Sequence, residues 1–235
     1  MERKKYLIIT AGGSGTRMGS SVPKQFLTIG GKAILHLSIE RFVNAVPGIK
    51  VITVLPEAHI DYWKKYCYSR SFIYPQTLVP GGITRFHSVK NGLERVPDGA
   101  VVAIHDGVRP LVSEDLIRNM FNMAESEPAV IPVLPVTDTL KALKKVENAD
   151  GNIRLERMEG VVADRSLLYA AQTPQVFHSE ILKDSYRQAF DTAFTDDASV
   201  AERKNIPLAY VDGERYNIKI TTQADLVLAQ AILSI

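Results

Sequence analysis

The chain has 235 residues, 46% of them hydrophobic and 23% charged, which suits a single α/β domain with a real core and excludes a disordered or fibrous class. A net charge of +2 excludes bulk electrostatic binding to nucleic acid or membrane, so any anion site must be a local cluster. The one cysteine, Cys67, excludes an internal disulfide and fits a reducing cytoplasm. The elements then alternate regularly. Short β-branched runs over 6–10, 51–55, 76–79, 101–104 and 130–134 read as strands. Between them, segments 33–43, 60–70, 85–96 and 114–125 carry apolar residues at helical spacing, with Thr84 and Ser113 as N-caps of the last two. Such alternation predicts one domain over 1–235: an α/β, Rossmann-like, mostly parallel sheet with helices on both faces.

The pattern breaks over 136–165. Alternating residues around a turn at 148–151 predict a two-stranded excursion at about 137–160. A lone hairpin is marginal in water, so this β-arm is expected to pack on something, such as a second subunit. Regular αβ character resumes at 167–172, followed by helices over 179–190 and 197–204 and strands over 208–211 and 218–220. An amphipathic helix closes the chain, with Thr222 and Asp225 as a capping box. The apolar stretch after Met1-Glu-Arg-Lys-Lys5 is far shorter than the roughly 7–15 residues of a secretory signal. No run reaches the roughly 20 apolar residues of a membrane span. A cytoplasmic protein with no membrane or nucleic-acid partner is expected.

The chemistry concentrates at strand ends. The first strand runs into Ala11-Gly-Gly-Ser-Gly-Thr-Arg-Met-Gly19. Four glycines exceed the need of a tight turn, and they let successive N–H groups turn inward as an anion-binding nest. Ala11, Gly12, Gly13, Gly15 and Thr16 are the nucleotide-binding candidates. A P-loop would need Gly-Lys-Ser/Thr after four intervening residues, and a dinucleotide fingerprint would need a glycine where Met18 stands. Neither is present. Arg17 within the loop and Lys24 in Val22-Pro-Lys-Gln-Phe26 aim two cations at the nest, with Pro23 stiffening the approach. That arrangement suits a polyphosphate that gains charge as it reacts.

Two later loops have the same placement. In Pro80-Gly-Gly-Ile-Thr-Arg-Phe-His-Ser-Val89, Gly82 permits close backbone approach and Ser88 offers a hydroxyl to a base edge. In His105-Asp-Gly-Val-Arg-Pro110, Asp106 has the hard oxygens that Mg²⁺ prefers and Arg109 can hold a phosphate bidentately. His105 is read as structural.

Ala-Gly-Gly-x-Gly-x-Arg-Met followed by Pro-Lys-Gln-Phe resembles the signature of sugar-phosphate nucleotidyltransferases. The Gly-Gly-x-x-Arg-x-x-Ser-Val and His-Asp-x-x-Arg-Pro segments are similar to those of cytidylyltransferases. Segments 137–141, 164–165, 172–177, 195–199 and 217–221 follow in family order, so the whole chain resembles the methylerythritol-phosphate cytidylyltransferase family, IspD. The resemblance implies CTP and a small sugar-alcohol phosphate as substrates and Mg²⁺ as cofactor, held by Asp106. Arg17, Lys24 and Lys219 would stabilise charge on the α-phosphate, and Gly82, Ser88 and Asp106 would contact the nucleotide. Asp106, Arg109, Thr139, Arg165 and Thr173 would surround the acceptor. A homodimer is implied, in which the arm embraces the neighbouring subunit and Arg165 acts in the partner's site. Two departures from the family pattern stand out: Val108 where alanine is common, and Thr84 where an acidic residue is frequent. A pentitol-phosphate cytidylyltransferase shares many of these motifs. Against it stand Ser88-Val89, where threonine is more usual, and the 138–141 and 164–165 segments. A non-catalytic nucleotide-binding protein on this fold would be expected to have lost one of the six charged groups Arg17, Lys24, Asp106, Arg109, Arg165 and Lys219, and all are present.

Overall fold

A computed structural model describes residues 3–13, 22–148, 150–161 and 164–234. Gly15, Thr16 and Arg17 fall outside the described residues, as does much of the glycine-rich loop. The elements in chain order begin with β1 (Lys5–Thr10), then the ribbon β2 (Thr28–Ile29) and β3 (Lys32–Ala33). They continue with α1 (Ile34–Ala45), β4 (Lys50–Leu55), α2 (Glu57–Ser69), β5 (Gln76–Pro80), α3 (Arg85–Leu93), β6 (Val101–Asp106), α4 (Glu114–Met123) and β7 (Ala129–Pro135). The hairpin is β8 (Leu143–Glu147) with β9 (Ile153–Arg157), after which come β10 (Tyr169–Ala171), β11 (Gln175–His178), α5 (Ser179–Ser185), α6 (Asp197–Glu202), β12 (Ala209–Asp212) and α7 (Gln223–Ile232).

β6, β1, β4 and β5 form a parallel block in that order. The chain first winds outward from β1 through β4 to β5, then crosses to the other side of β1 to lay down β6. The strand order therefore reverses between β1 and β6, which is where open α/β sheets bind ligands at the carboxyl ends of their strands. Thr10 and Asp106, the last residues of the two strands, are register partners. Gly107 donates its N–H to the Thr10 carbonyl at 2.9 Å, so the two loops leave the sheet side by side.

Alternate residues of each strand feed two cores. Leu7 and Ile9 face α1, α2 and α4 through Leu35, Phe42, Trp63 and Ile117. Ile8, Ile52 and Ile104 face α3, α5 and α6 through Phe86, Val89, Leu182 and Val200. Each such large side chain, once buried, contributes roughly 1.5–3 kcal/mol, so either layer is strongly held. A third cluster, Ile29, Ile34, Val108, Ile220 and Ala229, fastens α7 below the site. The expected caps form: Thr84 and Ser113 accept N–H bonds from His87 and Leu116, and Thr222 and Asp225 make the reciprocal box.

Several boundaries differ from the sequence expectation. The sheet is mixed beyond β6, because β11 enters antiparallel between β6 and β7, a strand that periodicity over four residues did not reveal. The helix expected to run to residue 190 ends at Ser185, and the next ends at Glu202. No strand forms over 218–220. The alternation there reflects burial of Ile220 in the third cluster, while its N–H makes a single bond to the Val108 carbonyl. The excursion is as expected. β8 and β9 pair only with each other among the described residues, and Gly151 takes a left-handed conformation (φ 77°) in the turn.

Candidate active site

Two adjoining clefts lie at the carboxyl ends of the parallel strands. The first, about 260 Å³, is lined by Ala11, Gly12 and Gly13 after β1, Gly82 to Arg85 and Ser88 after β5, and Lys24, Asp106 and Lys219. The second, about 120 Å³, is lined by Arg109, Gln172, Thr173, Thr195 and Asp196. Arg85, Asp106 and Lys219 line both.

Asp106 is the electrostatic centre. Lys219 Nζ lies 2.8 Å from its Oδ2, Arg85 Nε 3.4 Å from Oδ1 and Arg109 Nε 3.7 Å from Oδ2. Burial alone would raise the carboxyl pKa, but Arg85, Lys219 and Arg109 together hold it well below the ordinary range. Arg85 also forks onto the buried Asp197, with NH1 and NH2 at 3.0 and 2.7 Å from its two oxygens. Three cations thus share two carboxylates, leaving the junction of the clefts electropositive before Lys24 is counted.

The backbone around Asp106 is held by a hydrogen-bonded chain of one polarity. His105 Nε2 contacts the Arg109 carbonyl at 3.0 Å, and since a carbonyl only accepts, that nitrogen carries the proton. Nδ1 of the neutral ring is then an acceptor, and it takes the Thr173 hydroxyl proton at 3.1 Å. Thr173 Oγ1 in turn accepts the Asp106 N–H at 3.1 Å. Burial pushes the His105 pKa down to about 4, so the ring is neutral at pH 7. This bears out the structural reading of His105 and gives Thr173 a first task in shaping the His-Asp turn. The sign of the linkage follows. Below its ordinary pKa of about 6.5 the unfolded chain takes up a proton that the folded ring refuses, so stability falls as pH drops from about 6.5 to about 4. At roughly 1.4 kcal/mol per pKa unit the loss reaches about 3 kcal/mol. His105→Gln should flatten this part of the stability–pH curve in denaturant titrations, leaving the smaller contribution of His36, whose pKa burial also lowers.

The loop bearing Lys219 is fixed from both clefts. Arg109 NH1 donates to the Asn217 carbonyl at 2.7 Å, Asn217 Nδ2 donates to the Thr173 carbonyl at 2.8 Å, and Lys24 Nζ reaches the Ile220 carbonyl at 3.4 Å. Gln172 clasps Glu214 from both sides, donating to its carbonyl at 2.9 Å and accepting its N–H at 3.0 Å. Ser88 accepts the Gly82 N–H at 3.0 Å, which sets the loop after β5; a Cβ at Gly82 would meet the His87 Cβ at 2.4 Å, so glycine is required there. Thr84 lines the first cleft while its hydroxyl caps α3 and contacts His87 Nδ1 at 2.9 Å.

Ten candidates that the sequence placed in one site do converge: Ala11, Gly12, Gly13, Lys24, Gly82, Ser88, Asp106 and Lys219 line the first cleft, and Arg109 and Thr173 join Asp106 and Lys219 in the second. Thr139 and Arg165 do not. Thr139 lines a hollow at the base of the arm with Leu140, Arg157 and Val161, and Arg165 is exposed and donates to the Thr137 carbonyl at 2.7 Å. Sequence reasoning assigned no role to Arg85, Asp197, Tyr186 or Gln172. The signal lay in segments 195–199 and 172–177, but pairing across 112 residues cannot be read from spacing.

A family model described as IspD, 2-C-methyl-D-erythritol 4-phosphate cytidylyltransferase, matches residues 6–235. The chain belongs to this family. A relative of that name from Bacteroides thetaiotaomicron is 44% identical over 230 residues, covering 98% of this chain and 100% of the relative. Another from Porphyromonas gingivalis (strain W83) is 44% identical over 235 residues, with 100% of both chains covered. Among solved structures, the 2-C-methyl-D-erythritol 4-phosphate cytidylyltransferase of Thermus thermophilus superposes with a TM-score of 0.73 at 28% identity, covering 99% of this chain and 100% of that one. The 4-diphosphocytidyl-2C-methyl-D-erythritol synthase of Anaerococcus prevotii gives 0.75 at 28%, with 99% of each chain covered. No helix among the described residues is long and apolar enough to cross a membrane.

Proposed function

We infer that the chain transfers the CMP group of CTP to 2-C-methyl-D-erythritol 4-phosphate and releases pyrophosphate, a step of non-mevalonate isoprenoid precursor synthesis. The observation that carries this is the pair of clefts joined at Arg85, Asp106 and Lys219, in a chain matched along 6–235 by the family. An oxygen of the acceptor phosphate forms a bond to the α-phosphorus, and the bond to the β-phosphate breaks, its electron pair leaving with pyrophosphate. A phosphate monoester has its second pKa near 6 and is largely dianionic at pH 7, so no general base is required. The buried, neutral His105 is accordingly left to hold the backbone. Catalysis is then alignment and charge stabilisation. Lys219, Lys24 and Arg17 supply positive charge at the α-phosphate, Gly82 and Ser88 face the base, and Arg109 and Thr173 the acceptor.

Mg²⁺ fits this donor set. Asp106 is the one acidic residue lining both clefts among the described residues, and a single carboxylate completed by phosphate oxygens and water is an ordinary Mg²⁺ arrangement. When bound, the ion neutralises charge developing on the phosphate oxygens. The ribitol 5-phosphate alternative is tested directly by pyrophosphate release with CTP and each acceptor in turn. Turnover with methylerythritol phosphate alone is expected; turnover with the pentitol phosphate alone would overturn the assignment.

The working unit is read as a cytoplasmic homodimer. Leu143, Ile153 and Leu155 share one exposed face of the hairpin, with exposed Met158 following, and β8 and β9 have no strand partner but each other among the described residues. A broad hollow of about 960 Å³ along β10, β12 and α6, lined by Leu167, Leu168, Tyr169 and Tyr210, opens beside the acceptor cleft and shares Ala171, Thr195 and Asp196 with it. Exposed apolar faces of this kind mark association surfaces. In such a dimer Arg165 and Thr139 serve the neighbouring site. Arg165→Ala and Lys219→Ala enzymes, each nearly inactive alone, should then recover roughly a quarter of wild-type turnover after subunit exchange, since half the dimers regain one intact site. No recovery on mixing would show that Arg165 acts within its own chain.

A further inference from the structure

We propose that Asp197 and Tyr186 are positioning residues for cytidylyl transfer, holding the Arg85 guanidinium at the junction of the two substrate clefts. Among the described residues Arg85 is the one arginine that lines both clefts. Its two terminal nitrogens lie 3.0 and 2.7 Å from the two oxygens of Asp197, a fork-on-fork pairing that fixes the plane of the group as well as its place. The Nε edge is left facing Asp106 Oδ1 at 3.4 Å. Asp197 is fully buried, and its Oδ1 also receives the Tyr186 hydroxyl proton at 2.5 Å. Tyr186 is 2% exposed, and its ring stacks on Phe86, the neighbour of Arg85 in α3, with centroids 4.6 Å apart. The tyrosine thus grips the carboxylate with its hydroxyl and the arginine's own helix with its ring. Gln175 pins the far side, accepting the Ala198 N–H at 2.8 Å and donating to Asp196 at 2.7 Å, so Asp197 has no latitude along α6.

A buried ion pair holds two helices together no better than apolar side chains of the same volume, because desolvation offsets the attraction. The pair's particular contribution is geometric. It keeps a cation at the junction of the clefts, where it acts on charge that develops during transfer, and from collapsing fully onto Asp106. Binding energy realised before the transition state does not raise turnover. Loosening Arg85 should therefore lower kcat while leaving the KM for CTP nearly unchanged.

This rests on the cytidylyl-transfer reading, and the same assay separates the two: a wild-type enzyme with no CTP turnover removes that reading, whereas the variants address only the positioning role. Asp197→Asn is expected to lower kcat about 100-fold with the KM for CTP within about 3-fold of the parent. Arg85→Lys should fall as far, since an ammonium group cannot bridge both carboxylates. A folded Asp197→Asn enzyme with a lower Tm and kcat within about 3-fold of the parent would overturn the proposal and leave the pair a purely structural one. If circular dichroism shows that Asp197→Asn does not fold, Tyr186→Phe decides. It removes one hydrogen bond and no charge, and is expected to lower kcat about 3- to 10-fold at constant KM; an unchanged kcat overturns the proposal.

Discussion

Lys219→Ala is expected to lower kcat by about 10²–10³ while the protein melts at nearly the parent temperature. Nζ lies 2.8 Å from Asp106 Oδ2 and borders both clefts, so the charge is in place before either substrate arrives. It stays there because the loop is held on one side by Arg109 and Thr173 through Asn217, and on the other by Val108 through Ile220. A preorganised cation costs no reorganisation as charge builds up on the α-phosphate, and this is what the substitution removes. Stability should move little, because the lysine side chain is 43% exposed and the buried Asp106 that it leaves keeps Arg85 and Arg109 as partners. Steady-state pyrophosphate release together with a thermal melt checks both halves. Turnover within about 3-fold of the parent would mean that Lys219 is no more than a counter-ion to Asp106.

Asp106→Asn should have the second large effect, with an opposite signature in binding. The asparagine keeps the shape of the side chain and the backbone N–H bond to Thr173. It removes one of two carboxylates shared by three cations, so the cleft becomes more positive. Without Mg²⁺, anion affinity should hold or tighten: the dissociation constant for inorganic pyrophosphate is expected to fall a few-fold at low ionic strength, and the gain to fade as salt screens it. Turnover should nevertheless fall by at least about 10², because the asparagine cannot space Lys219, Arg109 and Arg85 as the carboxylate does and is a poorer ligand for Mg²⁺. Weaker pyrophosphate binding in the variant would contradict the electrostatic account even if activity were lost.

How much of this could be read in the sequence depends on the distance over which each feature is determined. The strand-end loops were legible because their signals are local: glycines after β1 and β5, an Asp-Gly-x-Arg run after β6, and caps at Thr84 and Ser113 whose bonds close within three residues. Their convergence follows from parallel alternation, which brings all carboxyl ends to one edge of the sheet. The arm was legible as a break in that alternation. The short strand β11 was not, because four residues carry too little periodicity to separate a strand from a loop. Ile218 and Ile220 misled in the converse way, their apolar spacing answering to the cluster around Val108 and Ala229. Arg85 was visible as a motif residue, yet its partner Asp197 is a helix-start aspartate by every local criterion. Only the packing of α3 against α5 and α6 turns it into the anchor of a guanidinium.

The single cysteine gains a practical meaning from its surroundings. Cys67 is half-buried on α2 beside Gln76, and burial pushes its thiol up to about 11, so the nucleophilic thiolate is scarce at neutral pH. A cysteine introduced at exposed Ser166, next to Arg165, should react with maleimides well before Cys67 does. A fluorophore carried there would test the proposed dimer, by reporting whether a second subunit docks beside Arg165, with no need to mutate the native thiol.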